Sequence, residues 1–407
     1  MILQLGEGAQ QGDGVSCDFF NDTYEPEVDQ WRKETVDPLL LTTCPLTDPQ
    51  REHSVDASIA LFVDDLIRIT LLPHPSDPIR ATPRRGTELA WLPAAQHVRS
   101  ILSAQDQKLD TGLASLGAIQ NPTKLDFLAH ICGRGSQAMT RWIHAPRPGN
   151  PGIAGRPCHD MIYLGAWLSR DGTPNRMVKE RLAAARAGWC ALGRYWHSPT
   201  SRRLKTQVFS CAVYNSALSG LEPFVLTHAQ EAALDSTILE YGRRLLGNDA
   251  QWYANERWYS IENKEVWKLL RLAPIKVGLR SWRLKWVQDI IRYPQENRDL
   301  TATLFGTFPF EDPQPDWTTD TIPPNADPWI WQLWGDLCAL KDSHTQGPEL
   351  LSILDGRVGR LWTNPDAAEL FLSLDCTEVR AAVCSAFVPP PRVHWRLFSP
   401  PHTDRTS

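Results

Sequence analysis

The chain has 407 residues, nine cysteines, 22% charged residues and a formal net charge of -5. That length accommodates two or three domains with real cores, and the average charge does not suggest a general polyanion binder, though it hides a strong asymmetry along the chain. No apolar run reaches the ~20 residues of a membrane span, the opening MILQLGEGAQQGDG lacks a secretory signal's basic start and long apolar stretch, and no CxxC pair occurs, so an intracellular protein with reduced thiols and no membrane contact is expected, nuclear or cytoplasmic.

Residues 1–57 carry twelve acidic side chains against three basic ones. SIALFVDDLIRITLL, from Ser58, reads as strand, tight turn and strand, with β-branched and apolar residues on both arms. A proline-broken loop comes next. AAQHVRSILSAQDQKLDTGLASLG predicts a helix with Val98, Ile101 and Leu102 on one side, and Gly117 as its stop. HICGRG and GRPCHDM bring His130, Cys132, Cys158 and His159 into one region. Adjacent Cys158 and His159 are poorly placed to hold one zinc together, so these read as unrelated polar residues. MIYLGAWLS reads as a further strand.

From Asn175 the apolar period becomes helical. Leu182, Trp189, Leu192 and Trp196 share one face, with Arg181, Arg186 and Arg194 mostly off it. The next helix repeats the pattern with Leu204, Val208, Cys211 and Leu218, and a third with Leu234, Ile238, Tyr241 and Leu245, capped at Gly247. In residues 257–292 Arg257, Lys264, Lys268, Arg271, Lys276, Arg280, Arg283, Lys285 and Arg292 outnumber Glu262, Glu265 and Asp289. Trp258, Trp267, Trp282 and Trp286 are interleaved. Cations track phosphates and indole faces stack on unpaired bases; the alternative is helix-on-helix packing beneath a solvated face.

The most informative residues are Asp64 and Asp65, side by side within an apolar run. Two such carboxylates repel by about 4 kcal/mol at about 4 Å and an effective dielectric near 20. A proton or a divalent cation relieves this, and Mg²⁺, or Mn²⁺ in its place, suits carboxylate oxygens while keeping sites for phosphate. A turn tip can also carry aspartates with no ligand at all.

In their order, QQGDGVSCDFFN, FVDD, GLASLGAIQNPTK and MIYLGAWLS, trailed by a basic helical region, resemble the reverse transcriptases of non-LTR retrotransposons over about residues 8–250, and more faintly to 293. The resemblance implies that Gln11, Gly12 and Ser16 abut template and incoming nucleotide. It makes Asp64 and Asp65 metal-binding catalytic residues. Lys124 then helps protonate the leaving pyrophosphate, and Tyr163, Leu164 and Gly165 support the primer end. The implied partners are an RNA template, a DNA primer and deoxynucleotide triphosphates, with Arg271, Lys276, Arg280, Arg283 and Lys285 as nucleic-acid contacts. Gly14 and Val15 stand where the family has Pro and Leu, and Gln10 or Gln11 where it often has Arg. The fingers and the strand with a third metal-binding aspartate are expected upstream of the glycine segment, and Asp13, Asp18 and Asp22 do not match that residue. Two-metal nucleotidyl transfer needs that bridging carboxylate, so a truncated, inactive derivative is expected.

The expected fold is α+β: an incomplete polymerase-type palm over 1–172 and a helical thumb and connection region over 173–300. Beyond these are expected an acidic, proline-rich linker at 301–328, a small helical unit at 329–388 and a disordered tail at 389–407. A non-catalytic nucleic-acid or protein-binding scaffold derived from such an element is the alternative. An unrelated helical interaction protein predicts no hairpin within residues 55–72.

Overall fold

The computed structural model describes residues 16–35, 45–57, 59–62, 65–68, 92–118, 126–128, 136–145, 156–163, 165–254, 256–306 and 328–375. The linker and tail expectations fall on residues 307–327 and 376–407, outside that set. Two compact units divide the chain: residues 1–47 with 54–173, and residues 48–53 with 174–407.

The first unit mixes helices with short ribbons. Helix α1 (Ser16–Glu34) precedes the antiparallel pair β1 (Pro45–Thr47) and β2 (Ser54–Asp56), then β3 (Ile59–Phe62) and β4 (Asp65–Arg68). Helix α2 (Leu92–Ser115), β5 (Asp126–Phe127), α3 (Ser136–His144) and β6 (Arg156–Pro157) come next, β6 pairing parallel with β5. Helix α2 ends as its sequence predicts: Gly117 takes a φ of 75° and the Ala118 N–H returns to the Leu113 carbonyl at 2.9 Å. The Trp31 indole N–H donates to the Gln105 carbonyl at 2.7 Å, tying α1 to α2.

The single strand expected at 161–169 is instead a hairpin, β7 (Asp160–Tyr163) and β8 (Ala166–Ser169), with Tyr163 opposite Ala166. The reversal needs only Gly165, whose φ of 78° is open to glycine and strained for other residues. Among the described residues the ribbons stay two-stranded and do not join into one sheet. The chain is thus a helix-rich mixture of α and β elements.

The second unit is helical: α4 (Asn175–Ala191), α5 (Gly193–Trp196), α6 (Arg202–Phe209), a π turn over Ser210–Tyr214, α7 (Asn215–Leu218) and α8 (His228–Leu246). A Thr227–Gln230 capping box starts α8. The α4 face forms as its period predicts: Trp189 stacks on Trp196 at 4.8 Å and on Tyr241 at 5.1 Å. The next helix departs from prediction. Leu204 and Cys211 are exposed; the core keeps Leu218 as expected and adds Phe209, Val213, Tyr214 and Ala217. The π turn inserts one residue and rotates the helix beyond it by about 100°, which a uniform 3.6 period misses.

A short ribbon, β9 (Gln251–Ala254) and β10 (Arg257–Ser260), leads to α9 (Asn263–Leu270), α10 (Ile275–Arg292) and α11 (Arg298–Phe305). The Asp235 carboxylate accepts from the Ile275 N–H at 2.8 Å and caps α10. Five further helices complete the unit: α12 (Pro328–Cys338), α13 (Leu340–Ser343), α14 (Gly347–Leu354), α15 (Arg360–Thr363) and α16 (Pro365–Ser373). These do not stand apart as a separate helical unit. Leu333, Leu337, Leu350, Leu354 and Phe371 share one core with Leu284, Val287 and Ile290 of α10, and the Gln288 amide donates to the Phe371 and Leu374 carbonyls at 2.7 and 2.8 Å.

Before α8, burial raises the Glu222 carboxyl above its ordinary range, although Arg283 and Arg181 pull it down. The folded carboxyl therefore holds its proton more tightly than the unfolded one. The burial penalty is absent below the unfolded pKa of about 4.3 and sets in as pH rises through the folded value. Glu222→Gln is expected to melt higher than the parent at neutral pH and level with it below about pH 4, as thermal unfolding at both pH values will read.

Candidate nucleic-acid interface

The β3–β4 pairing sets Phe62 opposite Asp65 and Leu61 opposite Leu66. Two residues, Val63 and Asp64, separate the strand ends in sequence and lie outside the described set. Asp65 thus opens the return strand, and the ribbon predicted at 55–72 is formed. It is anchored at its far end. The Arg68 guanidinium lies 4.3 Å from the Trp31 ring centre of α1 and donates to the Thr35 hydroxyl. Burial pushes its pKa down to about 10, with Asp56 acting in the opposite sense. So α1 holds the ribbon through β4 and holds α2 through Trp31.

The other residues implied by the resemblance are placed unevenly. Gln11, Gly12, Lys124 and Leu164 lie outside the described residues, as does Asp64. Ser16 opens α1, half-buried Tyr163 ends β7, and exposed Gly165 lies in the turn between β7 and β8. Among the described residues no three His, Cys, Asp or Glu side chains gather closely enough to hold a metal ion. Under the resemblance, Asp64 and Asp65 are the residues to hold Mg²⁺ or Mn²⁺; carboxylate oxygens suit either ion.

The expected basic stripe on α10 is corrected. Arg283 is only 3% exposed, and donates to Asp336 through Nε at 2.6 Å and Nη2 at 3.2 Å. Arg280 is half-buried and reaches the same carboxylate at 3.3 Å. Neither guanidinium is displayed to a phosphate backbone. Lys276 and Lys285 are exposed but nine positions apart (285 − 276), which at about 100° per residue puts them on opposite sides of the helix. Helix α10 is a core element shared by two layers of helices, with little free face.

The exposed cations gather one helix earlier. Lys264, Lys268 and Arg271 recur at i, i+4 and i+7, and all three are exposed. Lys264 pairs with Glu262 at 2.7 Å. Directly before α9, the β9–β10 ribbon carries two cross-strand aromatic pairs. Trp252 stacks on Tyr259 at 4.9 Å, and Tyr253 meets Trp258 at 5.2 Å. Every residue of β10 is exposed, Trp258 to 59%. Trp267, further along the same basic block, is by contrast buried in the core. Counting cations along the chain misses Trp252 and Tyr253, although the mirrored QWYA and RWYS around Asn255 and Glu256 are a hairpin signal.

Among the described residues no helix is long and apolar enough to cross a membrane. Compared with known proteins, the chain matches no protein-family model, no curated protein and no solved structure.

Proposed function

We propose that the chain derives from a non-LTR retrotransposon reverse transcriptase, an RNA-directed DNA polymerase, and that it binds nucleic acid without catalysing extension by itself. One observation carries the descent: the β3–β4 ribbon opens its return strand at Asp65 and leaves only Val63 and Asp64 between the strand ends. That is the arrangement the FVDD resemblance requires, whereas an unrelated helical interaction protein predicts no hairpin over residues 55–72. A second hairpin, whose first strand ends at Tyr163, and a basic helical unit come later in the order the resemblance implies. The lack of extension by this chain alone rests on stoichiometry: Asp64 and Asp65 supply two adjacent carboxylates, and bridging two metal ions takes a further one.

The test is binding of an oligo(rA)·oligo(dT) hybrid, read by anisotropy across salt, alongside Mg²⁺-dependent primer extension on the same hybrid. Expected are an affinity that falls linearly on a log–log salt plot and incorporation at background level. Incorporation that Asp64→Ala abolishes overturns the inactivity. No binding of the hybrid or of either of its strands alone at low salt overturns the nucleic-acid reading.

A further inference from the structure

We propose that the β9–β10 ribbon and helix α9 form a platform for an unpaired nucleic-acid strand, on which bases stack against Trp258 and Tyr259 while Arg257, Lys268 and Arg271 face the phosphates. The proposal rests on the nucleic-acid reading above and names the strand form that this surface takes. It begins with an anomaly of burial. Trp258 and Tyr259 are 59% and 39% exposed, whereas most large apolar side chains of this helical unit lie in its core. Their cross-strand pairs stabilise the ribbon, yet much of each ring is left in water with no core to cover it.

The geometry suits a flat ligand. Successive residues of a strand point to opposite faces, so Trp258 and Tyr259 offer one stacking face on each side of the ribbon, and a nucleic-acid strand that crosses the edge of β10 away from β9 meets both. Each ring is backed by a cross-strand aromatic: Tyr253 behind Trp258, and Trp252 stacked on Tyr259 with an interplanar angle of 25°. The register pairs Trp258 with Tyr253 and Tyr259 with Trp252, which holds the rings in place. A pre-ordered ring offers a stacking surface at low entropic cost, and every base has a face to match it.

The charge favours a polyanion over an apolar protein partner. Asp249 is committed to Arg202, and Glu262 to Lys264. Among the described residues around the ribbon this leaves Arg257, Lys268 and Arg271 exposed with no ion pair, against Glu256 alone. Arg257 adjoins the rings within the strand, and Lys268 and Arg271 are exposed on the helix that comes next in the chain, a sequence of rings and cations that suits bases and phosphates. A protein contact instead calls for a broad apolar patch with a polar rim. A duplex hides its base faces in the stack, so the rings favour a single strand.

The experiment uses the full chain, with fluorescein-labelled oligo(dT), an abasic strand of equal length, and the oligo(rA)·oligo(dT) hybrid. The parent is expected to bind oligo(dT) about tenfold or more tightly than the abasic strand, the range that one or two stacked bases supply. Trp258→Ala with Tyr259→Ala removes that preference and leaves binding of the abasic strand unchanged, while Trp258→Phe retains part of it. Lys268→Gln with Arg271→Gln weakens both strands and flattens the salt dependence. Equal affinity of the parent for oligo(dT) and the abasic strand, or an unchanged preference in the double alanine variant, overturns the platform while hybrid binding keeps the broader reading intact. Loss of all binding to strand and hybrid overturns both. Self-association of the parent that Trp258→Ala abolishes, with no preference for bases, assigns the ribbon to a protein contact and also overturns the platform. Unchanged melting of the variants guards against misfolding, since the substituted rings are exposed.

Discussion

Asp336→Ala is expected to lower the stability of the helical unit by about 3–5 kcal/mol, the cost of orphaning a buried charge. Asp336 has no exposed surface, and it is the acceptor for Arg283 at 2.6 and 3.2 Å, for Arg280 at 3.3 Å and for the Gln332 amide at 3.2 Å. Removing it strands the Arg283 guanidinium, itself only 3% exposed. Arg283→Met alone strands the carboxylate, although Arg280 still partners it, so the loss is smaller. Arg283→Met with Asp336→Leu removes the fully buried pair and leaves Arg280, whose side chain still reaches water, so it is expected to recover most of the stability, because apolar groups of similar volume replace a buried pair at little cost. Urea unfolding of the three variants reads the order directly. A double variant as unstable as Asp336→Ala overturns this account of the pair.

That pair also marks where sequence reasoning ends. In the sequence Arg283 is one cation among many in a basic block, and its partner lies 53 residues further along the chain, beyond any local pattern. The long segment between them hides the union of α10 with α12–α16, so residues 329–388 read as a unit of their own. Local signals fare better. The β3–β4 turn, the Gly117 stop of α2 and the α8 face of Leu234, Ile238 and Tyr241 each arise from neighbours a few positions apart. The β7–β8 turn escapes because a lone glycine within an apolar run gives little warning. For the candidate site, the aspartate ribbon is legible as β-branched and apolar arms around a tight turn. The exposed cations lie one helix earlier than the contacts expected on α10, since counting charges along the chain cannot separate the exposed side of α9 from the enclosed surface of α10.

Tyr214 carries the second large effect: Tyr214→Ala is expected to cost about 3–5 kcal/mol, as for other fully buried aromatics. The π turn decides this, because its extra residue swings Tyr214 into the core, where it has no exposed surface. There the hydroxyl donates to the Ala273 carbonyl at 2.9 Å, just before α10, and the ring meets Trp267 edge-on at 6.4 Å. The fit is close enough to dictate Gly278. A Cβ at that position falls 2.3 Å from the Tyr214 hydroxyl and 2.8 Å from Leu218 Cδ2. Gly278→Ala is therefore expected to cost about 1–3 kcal/mol by overpacking, and Tyr214→Phe about 1–3 kcal/mol by leaving the Ala273 carbonyl unpaired. The two are coupled. Deleting the hydroxyl removes the worst clash of the new methyl, whose next contact with the ring is Cζ at 3.3 Å. The double variant is expected to lose less than the sum of the singles by about 0.5 kcal/mol or more, measured as a denaturation cycle. Strict additivity means that the hydroxyl and the α10 backbone do not meet as described, and the π turn then has no part in fixing the α7–α10 crossing.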